Sequence, residues 1–389
     1  MLKDAIDNKE KIDIIVGIPS FNEADNINFV AEQVDKGLQK YYPNKRALIV
    51  NCDGGSTDDT RKVFLGAKTL TEKKFVQTPP KVTGKGNSFK LLFKIVQTLK
   101  ADAVMVVDAD LRSITEDWVK YLLEPVFQGY DYITPLYSRH KYDGTITNFI
   151  CFPLVYGLIG KNIRQPIGGD FSFSGKLADY WLNQQWYPTT GMYGIDIFMT
   201  THAIFGNFKI AQTGLGAKIH KPSAPKLSAM FTQVVSTLFE NILKNKEKWI
   251  QINSVEETKL FGLQKMDPAQ DLTVDKDRIL ETASSQYDED LLHKALGEQN
   301  FSQIKEMFSS KKVHITAELW CNCVYDIIVA FSKSNNKEDV INALKSLYFA
   351  RVYSFIYDTE TMSNEEAEQE ILKQAKLFFE KRDYLIKNL

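Results

Sequence analysis

The chain has 389 residues, of which 44 % are hydrophobic and 25 % charged, with a formal net charge of −1. That composition supplies a core for one large domain plus a smaller one. The near-zero charge argues against a nucleic-acid partner, which needs clustered excess lysine and arginine. Four scattered cysteines, two of them as Cys321-Asn322-Cys323, match neither a disulfide framework nor a zinc pattern. Residues 1–11 are of mixed charge without an apolar segment. A cytoplasmic protein is therefore expected. The longest apolar run, 149–160, is shorter than the roughly 20 residues a spanning helix needs, so it reads as a buried helix and no membrane span is expected.

In chain order, an apolar strand over 12–18 leads into Pro19-Ser20-Phe21-Asn22-Glu23. A helix over 24–40 follows, with Ile27, Val30, Ala31, Val34 and Leu38 at helical spacing. A second strand, 47–51, runs into Cys52-Asp53-Gly54-Gly55-Ser56-Thr57-Asp58-Asp59-Thr60. Strand, helix and strand with short joints make a right-handed parallel α/β unit, whose ligands sit at the carboxyl ends of the strands. Ser56 or Thr57 suits a helix cap, but capping does not explain Asp53 at the strand tip.

A third strand, 103–107, ends in Asp108-Ala109-Asp110. Alternation along an extended chain points Asp108 and Asp110 the same way. Two adjacent carboxylates repel unless a cation joins them, and a hard divalent ion, Mg2+ or Mn2+, is the simplest. An acidic turn at a polar strand end is the plainer alternative.

Further along, Gly84-Lys85-Gly86 suits either an anion-binding loop at a helix start or a mobile loop with a solvated lysine. The loop 137–148 packs Arg139, Asp143, Thr145 and Thr147 after a strand at 132–134. An arginine fork matches a carboxylate in two parallel hydrogen bonds, and threonine hydroxyls can satisfy its remaining oxygens; a basic surface loop is the alternative. Gln165-Pro166-Ile167-Gly168-Gly169-Asp170 is a second glycine-bearing segment, and Asp196 stands at the start of a helix, where its dipole alone would favour an acid. His220 follows a strand expected near 208–212, flanked by Lys218 and Lys221. His140 and His202 read as satisfied polar residues.

Pro19-x-x-Asn22-Glu23, then 53–60, then Asp108-Ala109-Asp110 resembles the nucleotide-sugar domain of A-type glycosyltransferases, over roughly residues 12–225. Asp53-Gly54-Gly55-Ser56 replaces the Asp-Asp-Gly-Ser of large inverting members, and none of the five tryptophans follows an arginine. The chain is more similar to the retaining mannosylglycerate, glucosylglycerate and glucosyl-3-phosphoglycerate synthases. The resemblance implies that Pro19, Asn22, Glu23 and Asp53 hold the nucleoside, and that Lys85, Asp108 and Ala109 contact the nucleotide or its diphosphate. It implies Gly169 and Asp170 beside the sugar ring, and a metal on Asp110 and His220 completed by phosphate oxygens. Lys218 would neutralise the leaving diphosphate, Asp196 would orient the acceptor, and Arg139 and Thr147, with Asp143 and Thr145 nearby, would grip it. The implied activity is metal-dependent, retaining transfer of glucose or mannose from a UDP- or GDP-hexose to D-glycerate or 3-phosphoglycerate, making a compatible solute. An inverting transferase with Asp196 or Asp170 as base, and a nucleotide-sugar-binding protein with a dead site, stay open.

Beyond 225 glycine almost disappears, and helical periodicities cover 228–249, 288–307, 316–331, 340–355 and 365–388, with a polar linker over 256–281. The expected fold is α/β: a Rossmann-like nucleotide-sugar domain at 1–225 and a mostly helical region at 226–389. The helical part is expected to brace the acceptor side, with homodimerisation through it left open.

Overall fold

Strands β1, Ile14–Ser20, and β2, Ala47–Asp53, are buried almost end to end, as strands covered on both faces of a parallel sheet must be. The computed structural model describes residues 11–221, 226–269 and 271–389. Between β1 and β2, helix α1, Ile27–Tyr41, buries Ile27, Val30, Ala31, Val34 and Leu38 on one face. Helix α2 is Thr60–Gly66, strand β3 is Glu72–Gln77, helix α3 is Lys85–Leu99 and strand β4 is Ala103–Val106. Then come helix α4, Asp117–Phe127, strands β5, Tyr132–Ser138, and β6, Phe171–Ser174, helices α5, Gly175–Leu182, and α6, Ile195–Phe205, and strands β7, Ile210–Ala217, and β8, Lys259–Gly262.

These eight strands form one sheet in the order β8-β7-β5-β6-β4-β1-β2-β3. All neighbours are parallel except β6, which runs antiparallel between β4 and β5. An antiparallel strand begins where its parallel neighbours end. Asp170, just before β6, is thereby delivered to the edge where β4 and β5 deliver Asp108 and Tyr137. The core beneath is aliphatic, built from Val16, Ile18, Val30, Ile49, Met105 and Leu122 among others.

A second unit contains the described residues of Arg139–Arg164, Pro225–Glu257 and Ala269–Leu389; the sheet unit holds those of Met1–Ser138, Gln165–Ala224 and Thr258–Pro268. The second unit is helical: α7, Leu227–Lys244, α8, Lys276–Ser285, α9, Glu289–Ala295, α10, Glu298–Ser309, α11, Ala317–Lys333, α12, Lys337–Thr359, α13, Asn364–Glu380, and α14, Arg382–Asn388. The apolar run at 149–160 is buried here as a π turn, Thr147–Cys151, and a short helix, Phe152–Gly157, with the Trp320 indole donating to Phe149 O at 2.8 Å. No helix among the described residues is long and apolar enough to cross a membrane.

Three expectations change. One cut after 225 does not separate the compact units, because 139–164 packs with the helices and 258–268 with the sheet. The linker at 256–281 supplies a parallel edge strand, Leu260 and Phe261 giving it an apolar centre. Neither Ser56 nor Thr57 caps α2; its N-cap is Asp59, and the Thr60 N–H bonds Asp58 at 3.0 Å.

Candidate active site

The first motif is laced to the second through side-chain oxygens. Asn22 takes a left-handed backbone conformation, φ 57°, which asparagine tolerates best after glycine. Its N–H donates to Ser56 Oγ at 2.8 Å, and its Oδ1 accepts the Thr57 N–H at 2.9 Å. The Glu23 N–H donates to Thr60 Oγ1 at 2.9 Å. Asp53 is 1 % exposed, and its carboxylate accepts the N–H groups of Gly55 and Ser56 and the hydroxyls of Ser20 and Ser56. Asp53 therefore shapes the loop. Pro19 is buried where β1 outruns β4, so its missing N–H removes no bond on that side. Phe21 stands 54 % exposed against Gly54 at the tip of β1. An aromatic ring left in water there suits stacking of a nucleobase. Sequence reasoning passed over it.

Behind this loop lies a buried charge network. Asp108 pairs with Lys85 Nζ at 2.8 Å and Lys218 Nζ at 2.9 Å. Burial would raise the Asp108 carboxyl, but the two ammonium groups outweigh it and hold it well below the usual carboxylate range. Lys218 also reaches Asp170 and Gly168 O, each at 2.7 Å. Asp170 accepts the Asp108 N–H at 2.8 Å and the Tyr137 hydroxyl; burial pushes its carboxyl up against the pull of Lys218. Burial lowers both lysines, yet Asp108 with Asp170 holds Lys218 above its ordinary value, as Asp108 with Asp196 does Lys85.

The three ammonium hydrogens of Lys218 thus meet three acceptors. Its part here is to neutralise Asp108 and Asp170, and the expected diphosphate contact would require breaking that set. Gly169, at φ +87°, lies so close that a Cβ would overlap the Asp108 carboxylate. Asp196 Oδ2 accepts the Gly168 and Gly169 N–H groups at 3.3 and 3.0 Å. Its Oδ1 is buried without a hydrogen-bond partner among the described residues, with Lys85 Nζ at 3.7 Å. A Cβ on Gly84 or Gly86 would overlap the 190–192 backbone, so close packing accounts for the Gly-Lys-Gly pattern without any ligand.

Asp110 belongs to a separate set of partners. The strand ends at Val106 and the chain turns at Ala109–Asp110, so strand alternation does not govern the two carboxylates. The segment after β7 docks on this turn: Arg112 N–H to Ile219 O at 2.8 Å, Ile219 N–H to Ser113 Oγ at 2.9 Å, and Lys221 N–H to Asp110 Oδ2 at 3.2 Å. His220 is thereby carried to the Asp110 turn, and it has no hydrogen bond among the described residues. Lys221 Nζ binds Glu23 at 2.6 Å and Asp25 at 2.7 Å; burial raises the Glu23 carboxyl and the lysine opposes it.

One carboxylate and one imidazole with spare lone pairs suit a divalent ion whose remaining ligands come from a substrate. Among the described residues no group of three or more His, Cys, Asp or Glu could hold an ion unaided. Asn26, another residue missed from sequence, donates from its buried amide to Ala109 O and Leu111 O.

The expected acceptor residues lie in the helical unit. Arg139 pairs with Asp143 at 2.7 Å, so Asp143 orients the guanidinium. Thr145 bonds the Tyr348 hydroxyl, and Thr147 is buried at the start of the π turn. Lys141 holds the loop by donating to Thr359 O at 2.7 Å, on the last residue of α12. A cavity of about 580 Å³ opens in the same unit beside Glu298, Asn300 and Tyr384. Glu380, Lys381 and Asp383 also line it, and the neighbouring Asp326 is taken by the Gly297 N–H, Asn300 and Tyr384. It carries no chemistry comparable to that at the sheet edge.

The sheet unit has a recognised sequence pattern. Residues 15–180 match glycosyl transferase family 2. The matched region spans β1 through most of α5 and contains Asp53, Lys85, Asp108, Asp110 and Asp170; His220 and Asp196 fall beyond it. Solved structures similar to the chain include glucosyl-3-phosphoglycerate synthase from Mycobacterium tuberculosis in complex with phosphoglyceric acid. That likeness is 24 % identical over 62 % of this chain and 82 % of that one, with a TM-score of 0.49. The same synthase with Mn2+, uridine diphosphate and phosphoglyceric acid gives 24 %, 62 %, 81 % and 0.48. A mycobacterial protein gives 26 %, 62 %, 77 % and 0.47. Among curated proteins no sequence relative matches.

Proposed function

We propose that the protein is a metal-dependent glycosyltransferase that moves glucose or mannose from a nucleoside-diphosphate donor to a small carboxylate acceptor, D-glycerate or 3-phosphoglycerate. The observation that carries the reading is the separation of labour at the sheet edge. Asp108 is neutralised by two lysines, whereas Asp110, with His220 brought to its turn, keeps oxygen and nitrogen lone pairs for an ion. Mg2+ or Mn2+ held by Asp110 and His220 would supply charge neutralisation for the departing diphosphate. Phe21 would stack on the base, and the loop ordered by Asp53 and Asn22 would present backbone groups to the nucleoside. Arg139, oriented by Asp143, would face the acceptor carboxylate.

Retention without an enzymic nucleophile implies front-face attack, the leaving diphosphate taking the acceptor proton. A second reading is favoured by one observation: Asp196 Oδ1 is buried and accepts no hydrogen bond among the described residues, its ion-pair partner Lys85 standing 3.7 Å away, so an inverting enzyme would have a base available. Proton NMR of the first-formed product from an α-linked donor separates them. An α anomeric signal supports retention, and a β signal supports inversion with an enzymic base, Asp196 or Asp170, which substitution of each then separates. Absence of donor consumption with every donor and acceptor tried contradicts the transferase reading itself.

A further inference from the structure

Asn26 is the N-cap residue of α1, where an asparagine ordinarily folds its side chain back on the first free N–H groups of the helix. Here it makes no side-chain cap bond. The amide instead points across to the Asp110 turn, and Nδ2 donates to Ala109 O at 3.0 Å and Leu111 O at 2.8 Å. These carbonyls belong to the residues immediately before and after Asp110. The Asn26 side chain is buried, so both donors act away from water.

A primary amide places two N–H groups on one nitrogen. Aspartate, the same size, would set an acceptor against two carbonyls. From its other side the same turn is held by the Arg112, Ile219 and Lys221 N–H bonds, and that segment carries His220. Asn26 is also four residues from Asn22 and three from Glu23, whose backbone N–H groups bond Ser56 and Thr60. One short stretch of chain therefore joins the nucleoside loop to the turn that presents Asp110.

We infer that Asn26 is a positioning residue for the divalent cation: it clamps the peptide groups on both sides of Asp110 so that the carboxylate meets an ion bound with a nucleoside diphosphate. The inference rests on Asp110 being a metal ligand. Groups that hold a ligand in place typically carry a tenfold to hundredfold share of metal affinity.

The test is Mn2+ binding to the full chain with uridine or guanosine diphosphate, read from the electron paramagnetic resonance of free Mn2+. Asn26→Asp and Asn26→Ala are compared with the unmutated protein and with Asp110→Asn. Asn26→Ala should weaken Mn2+ about tenfold and Asn26→Asp more, while metal-free nucleotide binding by calorimetry is unchanged and unfolding stays cooperative. If Asn26→Asp does not fold, Asn26→Ala decides. Mn2+ binding that Asp110→Asn abolishes and Asn26→Ala leaves at the unmutated level overturns the role of Asn26 alone. Mn2+ binding unchanged in Asp110→Asn, or absent from the unmutated protein, overturns the metal reading and this inference with it.

Discussion

Lys218 shows how a residue chosen for its charge can serve the fold first. Its side chain is 5 % exposed and touches two aspartates and a carbonyl. Removing one member of a buried ionic set strands its partners, at about 3–5 kcal/mol. Lys218→Met is therefore expected to lower unfolding stability in denaturant by that amount. A variant that keeps its stability and loses only turnover would return Lys218 to the leaving group. Asp108 adds a pH dependence with a definite sign. Its folded carboxyl titrates below the unfolded value of about 3.9, so its ion pairs contribute at neutral pH and are lost as pH falls through the carboxylate range. The unfolding free-energy gap between the unmutated protein and Asp108→Asn should be widest near about pH 7 and narrow below about pH 4. A gap that widens on acidification contradicts the pairing.

At the scale of elements, the decisive arrangement is the antiparallel β6 between β4 and β5. Reading from sequence placed Asp170 in a glycine segment and missed the strand, because Phe171–Ser174 is four residues long and merges into α5. The tight turn before it depends on Gly169, whose positive φ strains any side chain and whose Cβ would press on Asp108. Gly169→Ala should destabilise by about 2–4 kcal/mol, strain and overpacking together. Nucleotide affinity, measured by calorimetry, should weaken with it. An alanine variant of unchanged stability would mean that the turn relaxes and Asp108 is less rigidly held. By contrast α1 was legible, since its apolar spacing is regular and its buried face follows that spacing residue by residue.

For the whole molecule, the strand, helix, strand opening and the three motif positions were readable because hydrophobic runs and glycine-rich tips are local signals. The interleaving of the units was not. Residues 139–164 and 258–268 change company through contacts far apart in sequence, and β8 has only Leu260 and Phe261 to announce it. Of the proposed site, residue types pointed to the Asp108 and Asp110 carboxylates, whereas His220 entered only through the family resemblance. Burial and hydrogen bonding were needed to show that Asp53, Asp108 and Lys218 are consumed by the protein's own donors and acceptors, and that the side chain of the N-cap residue Asn26 bonds the Asp110 turn instead of its own helix. The central claim concerns metal-dependent transfer at Asp110 and His220. The most direct measurement is a coupled NMR assay of hexose transfer from UDP- and GDP-hexoses to D-glycerate and 3-phosphoglycerate, with added Mn2+ and with excess chelator. Transfer with one donor, abolished by chelator and by both Asp110→Asn and His220→Ala in folded protein, is the predicted result. Full transfer in excess chelator, or in either variant, would contradict it.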